Sequence, residues 1–164
     1  MKRITIILGL LIGALIISGC SIRTPEIHGV ALDNETHKPV KAWIIVTLDI
    51  VTKTVQGDVS STVFVGKTWT DESGRFMIPS KKLTSPSFVS PLSFGTRFDE
   101  LEIHAYGSSG RKGVVHFYKK GTRPSLSPSA KEYLPIKNIK ELEEKFQKEE
   151  FYIPLQYPTG EYFG

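Results

Sequence analysis

The segment KAWIIVTLDIV, residues 41–51, decides the fold class because its side chains alternate in character along the chain. In an extended strand, residues two apart point to the same face. One face would be wholly aliphatic, with Ala42, Ile44, Val46, Leu48 and Ile50. The other face is only partly polar, with Trp43, Ile45, Thr47 and Asp49. The pattern predicts a long strand that is buried on one face and partly covered on the other.

The same period of two continues on both sides of this segment. It predicts further strands over residues 27–32, 62–70, 75–78, 101–105 and 114–118. The stretches between them are rich in Asp, Asn, Ser, Gly and Pro, which favour turns. Short strands separated by such turns indicate a mainly β domain, a β-sandwich over residues 26–164 with its core strands in 26–120.

Two long stretches break the alternation. Residues 79–98 contain three prolines and five serines but also several large apolar side chains, so we expect a loop that packs against the sandwich. Residues 121–137 are predicted to form a second, irregular connection.

A helix and a final strand are predicted beyond residue 137. Asn138 and Glu141 have the spacing of a capping box, which begins a surface helix expected over residues 138–149. Residues 151–157 indicate an edge strand, because Pro154 cannot donate a hydrogen bond to a sheet. The helix would dock through its narrow apolar stripe, Ile139, Leu142 and Phe146.

The first twenty residues have the features of an export signal. Lys2 and Arg3 precede an apolar run over residues 4–17, which at fourteen residues is shorter than the about 20 needed to span a membrane. The sequence Ile17-Ser18-Gly19-Cys20 then resembles the lipobox of bacterial lipoproteins. The resemblance implies cleavage after Gly19, diacylglycerol on the Cys20 thiol and acylation of the new amino terminus. An ordinary secretory leader or an uncleaved anchor is the alternative.

The lipobox resemblance also implies a location. Residues 20–25 would be a short lipidated tether, and the membrane would be a partner through the anchor. Because Ser21 rather than Asp follows the modified residue, the resemblance favours the outer membrane, facing the periplasm, if the source has two membranes. In a source with one membrane, the anchor would lie in the cell membrane.

Composition narrows the class of function. The 164 residues suffice for one domain with its own core. Lys2 and Arg3 carry two of the four net positive charges, so the remainder is too weakly basic to indicate a nucleic-acid partner. Cys20 is the single cysteine, which excludes an internal disulfide and a site built from several thiolates.

Two segments carry turn motifs in a recognisable order. The first has Gly29, Val30, Asp33, Thr36, Pro39, Val40 and Ala42; the second has Thr70, Asp71, Gly74 and Phe76. Together they resemble the carboxypeptidase regulatory-like domain, a transthyretin-like β-sandwich, over residues 26–80. The resemblance gives Asp33, Pro39, Asp71 and Gly74 roles in the turns, and it implies a fold rather than a chemistry.

This resemblance favours a non-catalytic binding or structural module of the cell envelope, with no cofactor. Its partner would be an envelope protein or a glycan. A transthyretin-like hydrolase is the alternative from another class, because His28, Arg75 and residues 151–155 are similar to 5-hydroxyisourate hydrolases. The chain lacks the Tyr-Arg-Gly-Ser ending of those enzymes and the histidine ahead of their last strand.

Three further groups of side chains are candidates for binding. The four histidines have no metal-ligand spacing, so no metal site is expected, although His104 and His116 would be cross-strand neighbours in a hairpin. Residues 73–98 and residues 107–129 each carry cations without an acid, and these two stretches would form a basic surface if they met at one end. The second stretch would contribute Arg111, Lys112, Lys119, Lys120 and Arg123. Ordinary solvated side chains are the alternative. Four aromatic residues would form either a sugar platform or core packing, with Trp43 under the docked helix: Trp43, Trp69, Phe117 and Tyr118.

Overall fold

A computed structural model describes residues 22–83, 93–107, 110–121, 132–148 and 150–157. These residues are mainly in β-strands and include one short helix near the C-terminus, so the predicted mainly β class is confirmed. The lipobox residues Ile17, Ser18, Gly19 and Cys20 and the basic residue Arg123 lie outside the described residues.

The larger sheet has five strands. They are β3 (Ala42–Thr54), β4 (Gly57–Trp69), β7 (Ser93–Gly107), β8 (Lys112–Lys119) and β9 (Glu132–Ile136). Their order across the sheet is β4-β3-β7-β8-β9. Neighbours are antiparallel except for β8 and β9, which are parallel.

The smaller sheet has three strands. They are β2 (Ile27–Asp33), β5 (Arg75–Ile78) and β10 (Tyr152–Leu155), in the order β10-β2-β5. Strand β10 lies at an edge and runs parallel to β2, so the prediction of an edge strand is confirmed. A separate antiparallel pair joins β1 (Ile22–Arg23) to β6 (Lys82–Leu83).

Both sheets contribute to one hydrophobic core. The aliphatic face predicted for β3 is fully buried in it: Ala42, Ile44, Val46, Leu48 and Ile50. The smaller sheet contributes Ile27, Ala31, Phe76, Ile78, Ile153 and Leu155. Strands β8 and β10 approach closely at Gly113, where a Cβ atom would lie 2.4 Å from the Pro154 carbonyl oxygen. Only glycine fits at this position without a backbone shift.

Part of the predicted tether over residues 20–25 pairs with the domain. Ile22 and Arg23 form an antiparallel pair with β6, so they are not an extended linker. The Thr24 N–H donates to the Lys81 carbonyl at 2.9 Å, and the Thr24 hydroxyl accepts from the Lys81 N–H at 3.0 Å. The prediction of a tether over residues 20–25 is therefore wrong for residues 22–25, because long-range backbone pairing holds them on the domain.

Both predicted irregular stretches contain strand residues. Residues 93–98 belong to β7, since β3 extends to Thr54 and offers partners as far as Ser93. Residues 132–136 form β9, which pairs in parallel with β8. Pro135 and the many serines nearby gave no local strand signal, and only the open edge of β8 makes this pairing available. The rest of both stretches is described at residues 79–83, 121 and 137 only.

Helix α1 (Ile139–Lys148) begins as the sequence predicts. The Asn138 side-chain oxygen accepts hydrogen bonds from the N–H groups of Lys140 and Glu141, both at 3.0 Å. The Glu141 carboxylate accepts from the N–H of Lys137 at 2.7 Å, one residue before the position that a capping box uses. Leu142 and Phe146 are buried, which confirms the docked stripe.

The residues of the two turn motifs make local contacts. The Asp33 carboxylate accepts from the N–H groups of Glu35 and Thr36, and Pro39 bridges to Leu32. Gly74 has φ +73, and a Cβ there would lie 2.7 Å from the Ala31 carbonyl oxygen, so the turn requires glycine.

Asp71 organises the second of these turns. Its carboxylate accepts from the Ser73 hydroxyl and from the N–H groups of Ser73 and Arg75, at 2.8 to 2.9 Å. The hydrogen bond from the Ser73 hydroxyl, followed by that from the Arg75 N–H, holds the pKa of Asp71 below its usual value. The turn therefore favours the ionised carboxylate.

Candidate functional site on the outer face of the large sheet

The five-stranded sheet has a second face that points away from the core, here called the outer face. It is formed by the alternate residues of each strand, among them Trp69, Lys67 and Phe64 of β4, Trp43, Ile45 and Thr47 of β3, Tyr106, His104, Glu102 and Glu100 of β7, and His116 of β8. Many of these side chains are half-buried or exposed. This face brings aromatic and ionisable side chains close together.

Three aromatic side chains form a row across one end of the outer face. Trp43 pairs in register with Trp69 on one side and with Tyr106 on the other, and these three residues are called the aromatic row. The Trp43 and Trp69 ring centroids are 5.0 Å apart, with 49° between the ring planes. Trp69 is 55% exposed and Tyr106 is 37% exposed. At about 4.8 Å between strands, the row spans about 10 Å.

Two lysines flank the aromatic row. The Lys67 ammonium lies 5.5 Å from the Trp43 ring centroid, and the Lys112 ammonium lies 6.0 Å from the Tyr106 ring centroid. These distances are within or at the limit of the cation–π range. The row therefore has an apolar surface with positive charge beside it.

The four predicted platform aromatics have different positions in the structure. Trp43 and Trp69 are together, whereas Phe117 is buried in the core and Tyr118 lies opposite Glu100, away from the row. Tyr106 belongs to the row and was missed, although it continues the alternation of residues 101–105. The prediction that α1 covers Trp43 is wrong, because α1 packs against Phe117 on the core side.

A cluster of acids and histidines, here called the Glu/His cluster, lies beside the row: Glu100, Glu102, His104 and His116. The Nδ1 atom of His116 lies 2.7 Å from a carboxylate oxygen of Glu100 and 3.3 Å from one of Glu102. The other Glu102 oxygen lies 2.7 Å from Nε2 of His104. His104 also stacks on Tyr106 of the aromatic row, with centroids 6.3 Å apart. The row and the cluster are thus continuous.

Burial makes this cluster unusual for a sheet surface. His116 is 0% exposed and Glu100 is 5% exposed, although both point away from the hydrophobic core. The hydrogen bond with His104 holds the pKa of Glu102 below its usual value, in spite of partial burial, and the nearby His116 ring acts in the same direction. Glu102 is therefore disposed to carry negative charge.

Sequence reasoning found only half of the Glu/His cluster. It considered a pair of His104 and His116 across a hairpin but favoured unrelated strand-surface residues. The β7–β8 hairpin places them diagonally, joined through Glu102. Glu100 and Glu102 were not singled out. Glu100, Glu102 and His104 alternate with apolar residues, and this pattern could have placed the three on one face of the strand. The pattern does not indicate how deeply they are buried on that face.

The predicted basic surface does not assemble at one end. Strand β8 separates Lys112 from Lys119 by about 23 Å at about 3.3 Å per residue, and Lys120 follows Lys119. Arg111 forms an ion pair with Asp33 and lies over the Tyr157 ring. An extended strand thus divides the cations that the sequence placed together.

The residues similar to a hydrolase line a separate cleft of about 360 Å³ beside α1. His28, Arg75 and Glu150 line it, and Arg75 pairs with Glu150 at 2.6 Å. The Tyr152 hydroxyl donates to Glu150 at 2.7 Å, and this bond, followed by the charge of Arg75, holds the pKa of Glu150 below its usual value. Among the described residues, His28 makes no hydrogen bond to Glu150. In that part of the chain, the cleft therefore has no His28–Glu150 pair for acid–base catalysis.

Comparison with protein-family models, with curated protein sequences and with solved structures found no match to this chain. Within the part of the chain that the structure describes, no helix is both long enough and apolar enough to cross a membrane. Functional conclusions therefore rest on the geometry of the chain's own residues.

Proposed function

We propose that this protein is a lipid-anchored component of the cell envelope that binds a glycan through the aromatic row, without catalysing a reaction on it. The observation that carries the proposal is the row itself, in which Trp69, Trp43 and Tyr106 lie side by side on an outer sheet face. Two of these side chains are substantially exposed. Exposed tryptophan on a regular surface costs solvation free energy and is characteristic of binding sites.

The chemistry of the row suits a sugar ring. One face of a pyranose presents C–H groups that pack on aromatic rings, while its hydroxyls need hydrogen-bond partners at the rim. Lys67 and Lys112 supply donors beside the rings, and His104 supplies a polar group next to Tyr106. The tilt of 49° between the two indole rings would follow a glycan chain that twists along its length.

Replacing Trp69 by alanine tests this function. We expect binding to a glycan to weaken at least about 30-fold, since truncating an aromatic hot-spot residue of an interface costs about 2 kcal/mol or more. Binding can be measured by co-sedimentation with isolated peptidoglycan sacculi and by affinity electrophoresis through gels that contain soluble envelope polysaccharides. Trp43 and Trp69 are the only tryptophans in the sequence, so tryptophan fluorescence reports directly on the row.

Phe64→Ala is the matched control for this experiment. Phe64 lies on the same strand and the same sheet face, is 49% exposed and is outside the row. The control should bind as the unmodified protein does. If Trp69→Ala and Phe64→Ala bind equally well, or if the unmodified protein binds none of these polymers, the proposal is wrong.

The membrane location rests on the lipobox-like sequence Ile17-Ser18-Gly19-Cys20. We expect Cys20→Ala to abolish lipid attachment and to move the protein from the membrane fraction to the soluble fraction or leave it uncleaved. Fractionation with mass spectrometry of the amino terminus measures this, and Ser21→Ala is the matched control. An unmodified amino terminus in the original protein would contradict the anchor.

We also propose that the two sheets form a transthyretin-like sandwich of the carboxypeptidase regulatory-like family. Support comes from Asp33, whose carboxylate accepts hydrogen bonds within its turn, and from Gly74, whose positive φ favours glycine in its turn. The hydrolase alternative has weaker support, because Glu150 is held by Arg75 and Tyr152 rather than by His28. A binding module is therefore the better proposal.

A further inference from the structure

The Glu/His cluster brings three metal-ligating side chains together. One donor atom from each of Glu100, Glu102 and His116 lies within 4.8 Å of the other two. Two of the donors are carboxylate oxygens and the third is an imidazole nitrogen. This combination is a familiar ligand set for divalent transition-metal ions.

The two carboxylates of the Glu/His cluster also favour binding of a cation. In the described part of the chain, neither Glu100 nor Glu102 forms an ion pair with a lysine or an arginine; their polar partners are His104 and His116. A carboxylate as deeply buried as Glu100 is unfavourable unless it is paired. A divalent cation between the two carboxylates would supply this pairing.

The orientation of His116 suits a ligand, because its Nδ1 atom faces both carboxylates. Its Nε2 atom is buried and makes no hydrogen bond to any residue that the structure describes. Because Nε2 lies on the far side of the ring from Glu100 and Glu102, an ion held between these carboxylates would bind His116 through Nδ1.

The two distances from His116 to the carboxylates need little adjustment to accept an ion. Bonds of about 2.0–2.2 Å in tetrahedral geometry place neighbouring ligand atoms about 3.4 Å apart. The separation of 3.3 Å between His116 Nδ1 and Glu102 already fits, and the separation of 2.7 Å to Glu100 would have to open slightly. His104, bonded to the other Glu102 oxygen, is placed to orient that carboxylate, as outer-shell partners do.

We infer that Glu100, Glu102 and His116 bind a divalent transition-metal ion, for which Zn²⁺ is the best-suited probe. Three protein ligands leave a fourth position for water or for a polar group of a ligand. The inference goes beyond glycan binding and does not depend on it, because the cluster and the aromatic row use different side chains.

Zinc titration of the purified full chain tests the inference. After removal of metals with a chelator, we expect one Zn²⁺ per chain with a dissociation constant of about 10 μM or tighter by calorimetry, and a rise in the melting temperature on binding. His116→Gln and Glu102→Gln should each weaken binding by about 100-fold or more, at least as much as the loss of an outer-shell partner. X-ray absorption should show nitrogen and oxygen ligands with one imidazole and no sulfur.

Matched controls separate this site from adventitious binding. His28→Gln and Glu143→Gln change the same residue types outside the cluster and should leave the affinity unchanged. Glu102 is only partly buried, so Glu102→Gln decides the outcome if His116→Gln fails to fold. Binding weaker than about 100 μM, a sulfur ligand, or unchanged affinity in Glu102→Gln would overturn the inference.

Discussion

Phe146→Ala should lower the free energy of unfolding by about 3–5 kcal/mol, the range for truncating a buried phenylalanine. Phe146 is 1% exposed and packs edge-on against Phe117 and Phe151, with centroids 5.4 and 5.7 Å away. It is also one of two buried residues of α1, a ten-residue helix that is too short to be stable alone. Its loss would leave a cavity and release the helix from the sheets.

Urea unfolding followed by circular dichroism measures the effect of this substitution. Glu143→Ala, on the exposed side of α1, is the matched control and should change stability by less than about 0.5 kcal/mol. A loss below about 1 kcal/mol for Phe146→Ala would contradict the docking of the helix through this side chain.

His116→Ala should have an effect of similar size, about 3–5 kcal/mol, for an electrostatic reason. His116 is the hydrogen-bond partner of Glu100, and both are buried. Without the imidazole, the buried Glu100 carboxyl would lose the hydrogen bond that compensates for its burial. The measurement is urea unfolding in the presence of a chelator, so that bound metal does not contribute.

A second substitution tells this electrostatic cause from simple loss of packing. Adding Glu100→Gln to His116→Ala removes the buried charge and should restore about 1 kcal/mol or more of the lost stability. If the double variant is no more stable than His116→Ala alone, the unpaired carboxylate is not the cause. The comparison is a double-mutant cycle, which is the appropriate measure for groups in contact.

The aromatic row and the Glu/His cluster share the outer face, and His104 contacts both. It stacks on Tyr106 and hydrogen-bonds to Glu102. A glycan on the row would therefore lie next to the proposed metal ion. The proposals are tested separately because Trp69→Ala changes only the row and Glu102→Gln changes only the cluster.

Local sequence was sufficient wherever the signal is itself local. The alternation over residues 41–51 identified the buried face of β3, because strand geometry alone assigns side chains to faces. Asn138 identified the start of α1, since a cap bonds to backbone groups two and three residues away. Gly74 was assigned to a turn for the same kind of reason, a backbone conformation that a Cβ atom disfavours.

Features that depend on distant parts of the chain were missed. Strand β9 exists because β8 offers an open edge, and residues 132–136 themselves carry a proline and little alternation. Ile22 and Arg23 are held by residues 60 positions along the chain rather than by their neighbours. The predicted basic surface failed because β8 lies between its lysines.

By itself, then, the sequence determined the mainly β class, the buried face of the central strand, the helix start and the principal turns. Each of these depends on the spacing of residues within one segment. Tertiary structure alone decided that Tyr106 joins the two tryptophans, and that two glutamates and a histidine become one buried cluster. Those arrangements depend on strand register, and register is set by pairing between segments far apart in the chain.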